Sequence, residues 1–118
     1  MNKAILIEHG INYDSGLRRF LDDTELYEKM LEAFLSDDSY KKILKAYSEN
    51  NMKSLFDDVH TLKGTSGSLD LERLYKASCA LSDYLKFNST PDKGLVNAMY
   101  LQLQKAYDFT VEGIRLAL

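Results

Sequence analysis

MKSLFDDVHTLKGTSGSL, residues 52–69, is the stretch of sequence that decides the fold. Placed on a helix at 100° per residue, it carries apolar or small residues on one side, at spacings of three and four. This periodicity predicts a long helix with one face turned to the core. The residues of that face are Leu55, Val59, Leu62, Ser66 and Leu69.

The same helix has a second ordered face, made up of His60, Lys63, Gly64 and Gly67. A glycine inside a helix costs roughly 0.8–1 kcal/mol relative to alanine, so two of them indicate a requirement for space. Because helical side chains lean toward the N-terminus, Gly64 leaves the His60 ring uncovered, and Gly67 allows the backbone of a partner to approach closely. Lys63 places a positive charge where an anion on the imidazole would lie. We interpret this face as a phosphate-accepting histidine beside a cation.

Other readings of this face stay open. A histidine on a helix surface often has no function, and the run Gly64-Thr65-Ser66-Gly67-Ser68 is also typical of a helix end. Phe56, one turn before His60, is either rim packing or an apolar docking contact. Asp57 either orients the imidazole through a hydrogen bond or is simply solvated.

The run His60-Thr61-Leu62-Lys63-Gly64 resembles the signature of histidine-containing phosphotransfer (HPt) domains, which carry phosphoryl groups between receiver domains in two-component phosphorelays. The resemblance covers about residues 26–85. It implies that His60 accepts a phosphoryl group from a receiver phospho-aspartate and passes it to another receiver, while Lys63 balances the charge. It also implies that response-regulator receiver domains and a hybrid histidine kinase are the partners. The receiver would bring the Mg²⁺, so we expect no cofactor and no metal site in this chain.

Two positions depart from the pattern of the family. Asp70 stands ten residues after His60, where members usually have glycine, and an aspartate adopts the left-handed turn conformation less readily. Ser82 stands where members often have a Gln or Glu whose side chain reaches the imidazole. A serine hydroxyl is shorter and would act only through a water molecule.

Two other classes of function compete with a phosphorelay carrier. One is a helical adaptor that binds a receiver or a histidine kinase without carrying phosphate, and the other is a plain structural bundle. His60 and Lys63 favour the carrier, and the two helical glycines count against a purely structural role. Because the sequence has no Gly-rich nucleotide loop and no kinase motif, we expect a phosphocarrier rather than an enzyme that phosphorylates itself from ATP.

Composition restricts the class of protein. The chain has 118 residues, 45% of them hydrophobic and 28% charged, which fits a single helical domain over residues 1–118. A net charge of −3 argues against nucleic acid, and no apolar run is long enough for a membrane span. One cysteine, Cys79, suits a reducing cytoplasm. We expect a cytoplasmic monomer, and the initial Met and compact length favour a free-standing protein over a fragment of a hybrid kinase.

Capping residues and periodicity divide the chain into helices. Four long helices joined by short loops predict an all-α, antiparallel up-down four-helix bundle, with two short N-terminal helices capping one end. Residues 1–12 are expected to be an N-terminal extension over the bundle, with His9 facing solvent. Thr90 and Pro91 are predicted to be the N-cap and the first residue of the last helix. The predicted helices span about Tyr13–Leu21, Glu25–Leu35, Ser39–Glu49, Met52–Leu69, Leu71–Phe87 and Pro91–Leu116.

Overall fold

The computed structural model describes residues 1–118 as seven α-helices with no β-strand. The all-α prediction is confirmed, and the six predicted helices agree with the structure to within about two residues at each end. None of the seven combines the length and the apolar character needed to cross a bilayer. The helices are α1 Lys3–Glu8, α2 Tyr13–Arg19, α3 Thr24–Phe34, α4 Ser39–Ser48, α5 Met52–Ser68, α6 Glu72–Phe87 and α7 Lys93–Ala117.

Side-chain caps fix the starting points of several helices. The side-chain oxygens of Asn12, Asp23 and Asn51 each accept a hydrogen bond from the backbone N–H three residues further along. The last helix begins later than predicted, because the Asp92 carboxylate accepts from the backbone N–H of Leu95 at 2.9 Å. Thr90 and Pro91 therefore precede the helix, and the prediction that they form its start is wrong by two residues.

One apolar core of 22 buried residues runs through the molecule. Helix α5 packs between α4 and α6, and α6 packs on α7. Helix α4 meets α7 through two stacked tyrosine pairs, Tyr40 with Tyr107 and Tyr47 with Tyr100, whose ring centroids are 3.7 Å apart in each pair. Helices α4–α7 thus form a helical bundle, and its antiparallel up-down order stays a prediction.

Helices α2 and α3 lie against the turn that joins α5 to α6. The buried Tyr27 hydroxyl of α3 donates a hydrogen bond to the carbonyl oxygen of Leu69 at 2.8 Å. The backbone N–H of Asn12, the N-cap of α2, donates to the carbonyl oxygen of Asp70 at 2.9 Å. These bonds hold the N-terminal part of the chain beside the end of the histidine-bearing helix.

The N-terminal extension contains a helix that the sequence pattern did not predict. Helix α1 has six residues, too few to show a helical period, and it is started by Asn2, whose side chain accepts from the backbone N–H of Ile5. Its Leu6 is fully buried, and the helix packs along α7. The number of N-terminal helices is therefore three rather than two.

His9, which follows α1, does not face solvent as predicted. It is half-buried, with its ring centroid 4.6 Å from that of Phe109 and its Nδ1 2.7 Å from the carbonyl oxygen of Ile5. The prediction is wrong because α7 has a glycine here. Any side chain at Gly113 would overlap His9, so this helix glycine makes room for the histidine.

Candidate functional site

The buried stripe of α5 fixes which side of the helix faces outward. Leu55, Val59 and Leu62 have no exposed surface, and Ser66 is equally buried. This confirms the predicted core-facing side. With that side packed against α4 and α6, the opposite side presents His60, which is exposed.

The His60 ring stands free except for one aromatic neighbour. Phe56, one turn earlier on α5, stacks on it with ring centroids 5.7 Å apart and an interplanar angle of 20°. Neither ring nitrogen of His60 makes a hydrogen bond within the chain. Phe56 therefore lies at the site, where it supports one face of the imidazole and leaves the nitrogens open to a partner.

The imidazole lies on a shallow depression of about 400 Å³ between α2, α5 and α6. Four of the residues that line it form the predicted face of α5: His60, Lys63, Gly64 and Gly67. The others are Arg19, Ser68, Asp70, Glu72 and Tyr75. The structure thus brings the predicted face of α5 together with polar residues from two other helices.

The two glycines of this face have different surroundings. A Cβ at Gly64 would meet nothing within 4 Å, so the space beside His60 is open. A Cβ at Gly67 would stand 3.0 Å from Cε1 of Tyr75, so its space is taken by an aromatic ring of the same chain. Close approach of a partner's backbone stays a prediction for both, and Gly67 has an intramolecular reason to be glycine as well.

Lys63 is oriented by α6. Its Nζ lies 3.8 Å from Oδ1 of Asp83, and its side chain is 29% exposed against 58% for Asp83. Lys63 makes no hydrogen bond with the imidazole. In the resting molecule Lys63 therefore lies one turn after His60 on α5, and its ammonium is paired with a carboxylate of α6.

Asp57 and Ser82 do not orient His60 by direct hydrogen bonds. Asp57 is exposed, and the hydrogen bond found there is accepted by its backbone carbonyl, from the Thr61 hydroxyl at 3.1 Å. Ser82 is 2% exposed and belongs to the buried side of α6. Orienting roles for these two residues stay predictions, and neither lines the depression.

The end of α5 is closed by a left-handed residue. Asp70 has φ of 53°, the N–H of Leu71 donates to the carbonyl oxygen of Ser66, and the N–H of Asp70 donates to that of Gly67. This is the Schellman pattern, in which glycine is the usual residue. Asp70 adopts the same conformation, and its Oδ2 accepts from Arg19 Nε at 2.6 Å, an ion pair that joins α2 to the turn.

Tyr75 adds a neutral hydroxyl to the depression. The pKa of Tyr75 lies above its ordinary value, first because of a hydrogen bond with Cys79 and then because of the negative charge that Cys79 carries when ionised. Burial and Asp83 also raise the pKa, while Lys63 lowers it. Tyr75 thus stays protonated at neutral pH. Its phenol interacts electrostatically with both Lys63 and Asp83, and Tyr75 and Lys63 both line the depression.

Sequence reasoning missed five residues in or beside the depression: Arg19, Ser68, Glu72, Tyr75 and Asp83. Ser68 lies on the His60 face of α5, two turns along, and the helical period would have identified it. Glu72, Tyr75 and Asp83 are on α6, and Arg19 is on α2. Their approach to His60 depends on helix packing, which no local spacing in the sequence encodes.

Comparison with known proteins gives the family of the chain. No curated protein and no solved structure matches it. The family model described as Hpt domain matches residues 16–108, which include α3 to α6, His60 and most of α7. The chain belongs to the Hpt domain family.

Proposed function

We propose that this protein is a phosphorelay carrier, which takes a phosphoryl group from a receiver phospho-aspartate onto His60 and gives it to a second receiver. The observation that carries the proposal is the exposed His60 ring, which has no hydrogen-bond partner and has open space over Gly64. Membership of the Hpt domain family supports the same reading. Response-regulator receivers and a hybrid histidine kinase are the proposed partners.

The reaction requires few catalytic groups from the carrier. The lone pair of a neutral His60 Nε2 attacks phosphorus, an N–P bond forms, the acyl-phosphate P–O bond breaks, and the receiver aspartate leaves as a carboxylate. The second transfer is the reverse of this step, with another aspartate as nucleophile. Catalysis of phosphoryl transfer is largely alignment and charge neutralisation, and the receiver's acidic site with its Mg²⁺ would supply much of both.

Three neighbours of His60 have defined proposed roles. Lys63 lies one turn from the imidazole on the same helix, close enough for its ammonium to reach a phosphoryl group on Nε2. The missing side chain at Gly64 lets the receiver bring phosphorus in line with the nitrogen. Phe56 supports the ring from the other side.

A transfer assay tests the proposal. The protein is incubated with a receiver labelled on its aspartate, and the product is examined for phosphate that is labile in acid and stable in base, the behaviour of phosphohistidine. We expect label on the native chain, none on His60→Gln, and slower labelling of Lys63→Met. Thr65→Ala, on the same helix but outside the depression, serves as the folded control.

Each outcome of the assay separates the candidates. Label retained by His60→Gln would move the acceptor to another residue. No label with any receiver, together with measurable receiver binding, would favour the adaptor that binds without carrying phosphate. Label from ATP alone would contradict the proposal that the chain is a phosphocarrier without autokinase activity.

The proposal also covers the order of the helices, the cellular compartment and the oligomeric state. An antiparallel up-down order for α4–α7 is supported by the tyrosine pairs, in which the later residue of α4 meets the earlier residue of α7. A reducing compartment such as the cytoplasm suits the single free Cys79. Sedimentation of the purified chain tests the proposed monomer.

A further inference from the structure

Both cations that line the depression are held by carboxylates in the resting molecule. Arg19 is bound by Asp70 at 2.6 Å, and Lys63 is bound by Asp83 at 3.8 Å. The Lys63 pair is the looser of the two, and its cation is the one on the helix of His60, a single turn away. Lys63 is therefore the positive charge most readily available to a new anion at the imidazole.

Phosphorylation of His60 would create that anion. A protein-bound phosphoryl group carries roughly two negative charges and three acceptor oxygens near neutral pH. A lysine ammonium has three donors on a flexible stem, so it can turn from one acceptor toward another. Asp83 and the phosphoryl group would then compete for the same ammonium.

We propose that Asp83 is a positioning residue for the phosphorelay: it holds Lys63 over α6 while His60 is unmodified, and it opposes transfer of Lys63 to the phosphohistidine. This inference rests on the proposed phosphocarrier function of His60. Asp83 lies outside the HPt signature, and by this inference it influences the equilibrium of phosphoryl transfer between the receiver and His60. Removal of the Asp83 charge shifts that equilibrium toward His60.

The expected size of the shift follows from the exposure of the pair. Asp83 is 58% exposed, and an ion pair in such a setting changes an equilibrium by only about two- to fivefold. Asp83→Asn should therefore raise the equilibrium constant for transfer from a receiver to His60 by about that factor. Asp83→Glu keeps the charge and should restore a value close to that of the native chain.

A double-mutant cycle shows whether Asp83 acts through Lys63. The transfer equilibrium is measured with one labelled receiver for the native chain, Asp83→Asn, Lys63→Met and the double variant. We expect most of the Asp83→Asn shift to disappear in the Lys63→Met background. Asp58→Asn, which removes another carboxylate of α5 that does not line the depression, measures the general effect of charge and should give the same shift in both backgrounds.

A matched ion pair provides the structural control. Asp38, the residue before α4, and Lys42 on α4 form an ion pair with Nζ 3.7 Å from Oδ2; both are exposed and neither lines the depression. Asp38→Asn should leave the transfer equilibrium unchanged, and thermal unfolding of each variant verifies that the fold is retained.

The outcomes distinguish this inference from the function on which it rests. An unchanged equilibrium for Asp83→Asn, a shift toward the receiver, or an equal shift without Lys63 would overturn the role of Asp83 while leaving the carrier function intact. Failure of the native chain to take up label, both from receivers and from phosphoramidate as a small phosphoryl donor, would overturn both.

Discussion

The ring of Tyr75 occupies the space that a side chain at residue 67 would need, because a Cβ on Gly67 would lie 3.0 Å from Tyr75 Cε1. The contact joins α5 to α6 at the floor of the depression beside His60. It makes the position of a partly exposed tyrosine depend on the absence of a methyl group one helix away.

Gly67→Ala should therefore have a small net effect on stability. Alanine gains roughly 0.8–1 kcal/mol of helix propensity, and displacement of the Tyr75 ring offsets most of this. Since that ring is 38% exposed, it has room to move. Urea unfolding should place the variant within about 0.5 kcal/mol of the native chain. Gly67→Ala combined with Tyr75→Ala should recover the propensity gain relative to Tyr75→Ala alone, and no such gain would show that the ring is not the obstacle.

Gly64→Ala should separate stability from function. Nothing lies within 4 Å of the new methyl group, so the free energy of unfolding should rise by roughly 0.8–1 kcal/mol. Phosphoryl transfer from a receiver should slow by about tenfold or more, because the methyl group stands where the partner approaches His60. Thr65→Ala raises helix propensity without entering the depression and should transfer at the native rate. Native transfer by Gly64→Ala would contradict the docking role of this open space.

The sequence predicted α5 and its two faces well, and it predicted their surroundings poorly. The stripe of Leu55, Val59 and Leu62 and the outward His60 follow from a helical period that is local to the chain. The pairing of Lys63 with Asp83 depends on how α5 and α6 pack, and periodicity does not determine that register. Helix α1 was missed because six residues hold less than two turns of pattern.

The turn at Asp70 also depends on a contact that the local sequence does not predict. Asp70 adopts a left-handed φ of 53°, a conformation that an aspartate reaches less readily than a glycine. The ion pair that supports this conformation could not be predicted from the sequence, because Arg19, the partner of Asp70, lies 51 residues earlier. A long-range ion pair supports a conformation that the local sequence disfavours.

Substitutions of Asp70 separate backbone strain from the ion pair. Asp70→Ala keeps a side chain in the left-handed region and loses Arg19, so it should destabilise the fold by about 1 kcal/mol. Asp70→Gly also loses the ion pair but removes the strain, and it should lie within about 0.5 kcal/mol of the native chain. Chemical denaturation measures both, with Arg19→Gln as the control for the ion pair alone. Equal destabilisation by Ala and Gly would show that the ion pair dominates.

Glu28 should make stability depend on pH in the acid range. Burial opposes its ionisation, but hydrogen bonds from the Tyr13 hydroxyl at 2.6 Å and the Met1 ammonium at 3.1 Å outweigh burial and lower the pKa of Glu28. A lowered pKa means that the folded state favours the ionised form of Glu28, so this stabilisation is present at neutral pH. It is lost as pH falls below the unfolded value of about 4.3 and through the folded pKa.

Glu28→Gln should thus lower the free energy of unfolding by about 1 kcal/mol at pH 7. The difference in free energy of unfolding between the native chain and Glu28→Gln should disappear as the pH approaches about 3, below the ordinary glutamate pKa. Thermal unfolding across this range measures this difference. A difference that stays constant from neutral to acid pH would mean that the carboxylate charge is not what stabilises the N-terminal helices.

The packing of α1 along α7 brings the first and last turns of the chain together. The N–H of Asn2 donates to the carbonyl oxygen of Ala117 at 2.9 Å, so a short linker from residue 118 to residue 1 would close residues 1–118 into a ring. The exposed connection at residues 89–90 offers a place to reopen it without cutting α5 or α6. Such a circular permutant would keep His60, Lys63 and Asp83 in one uninterrupted segment while changing the order in which α7 is synthesised relative to them.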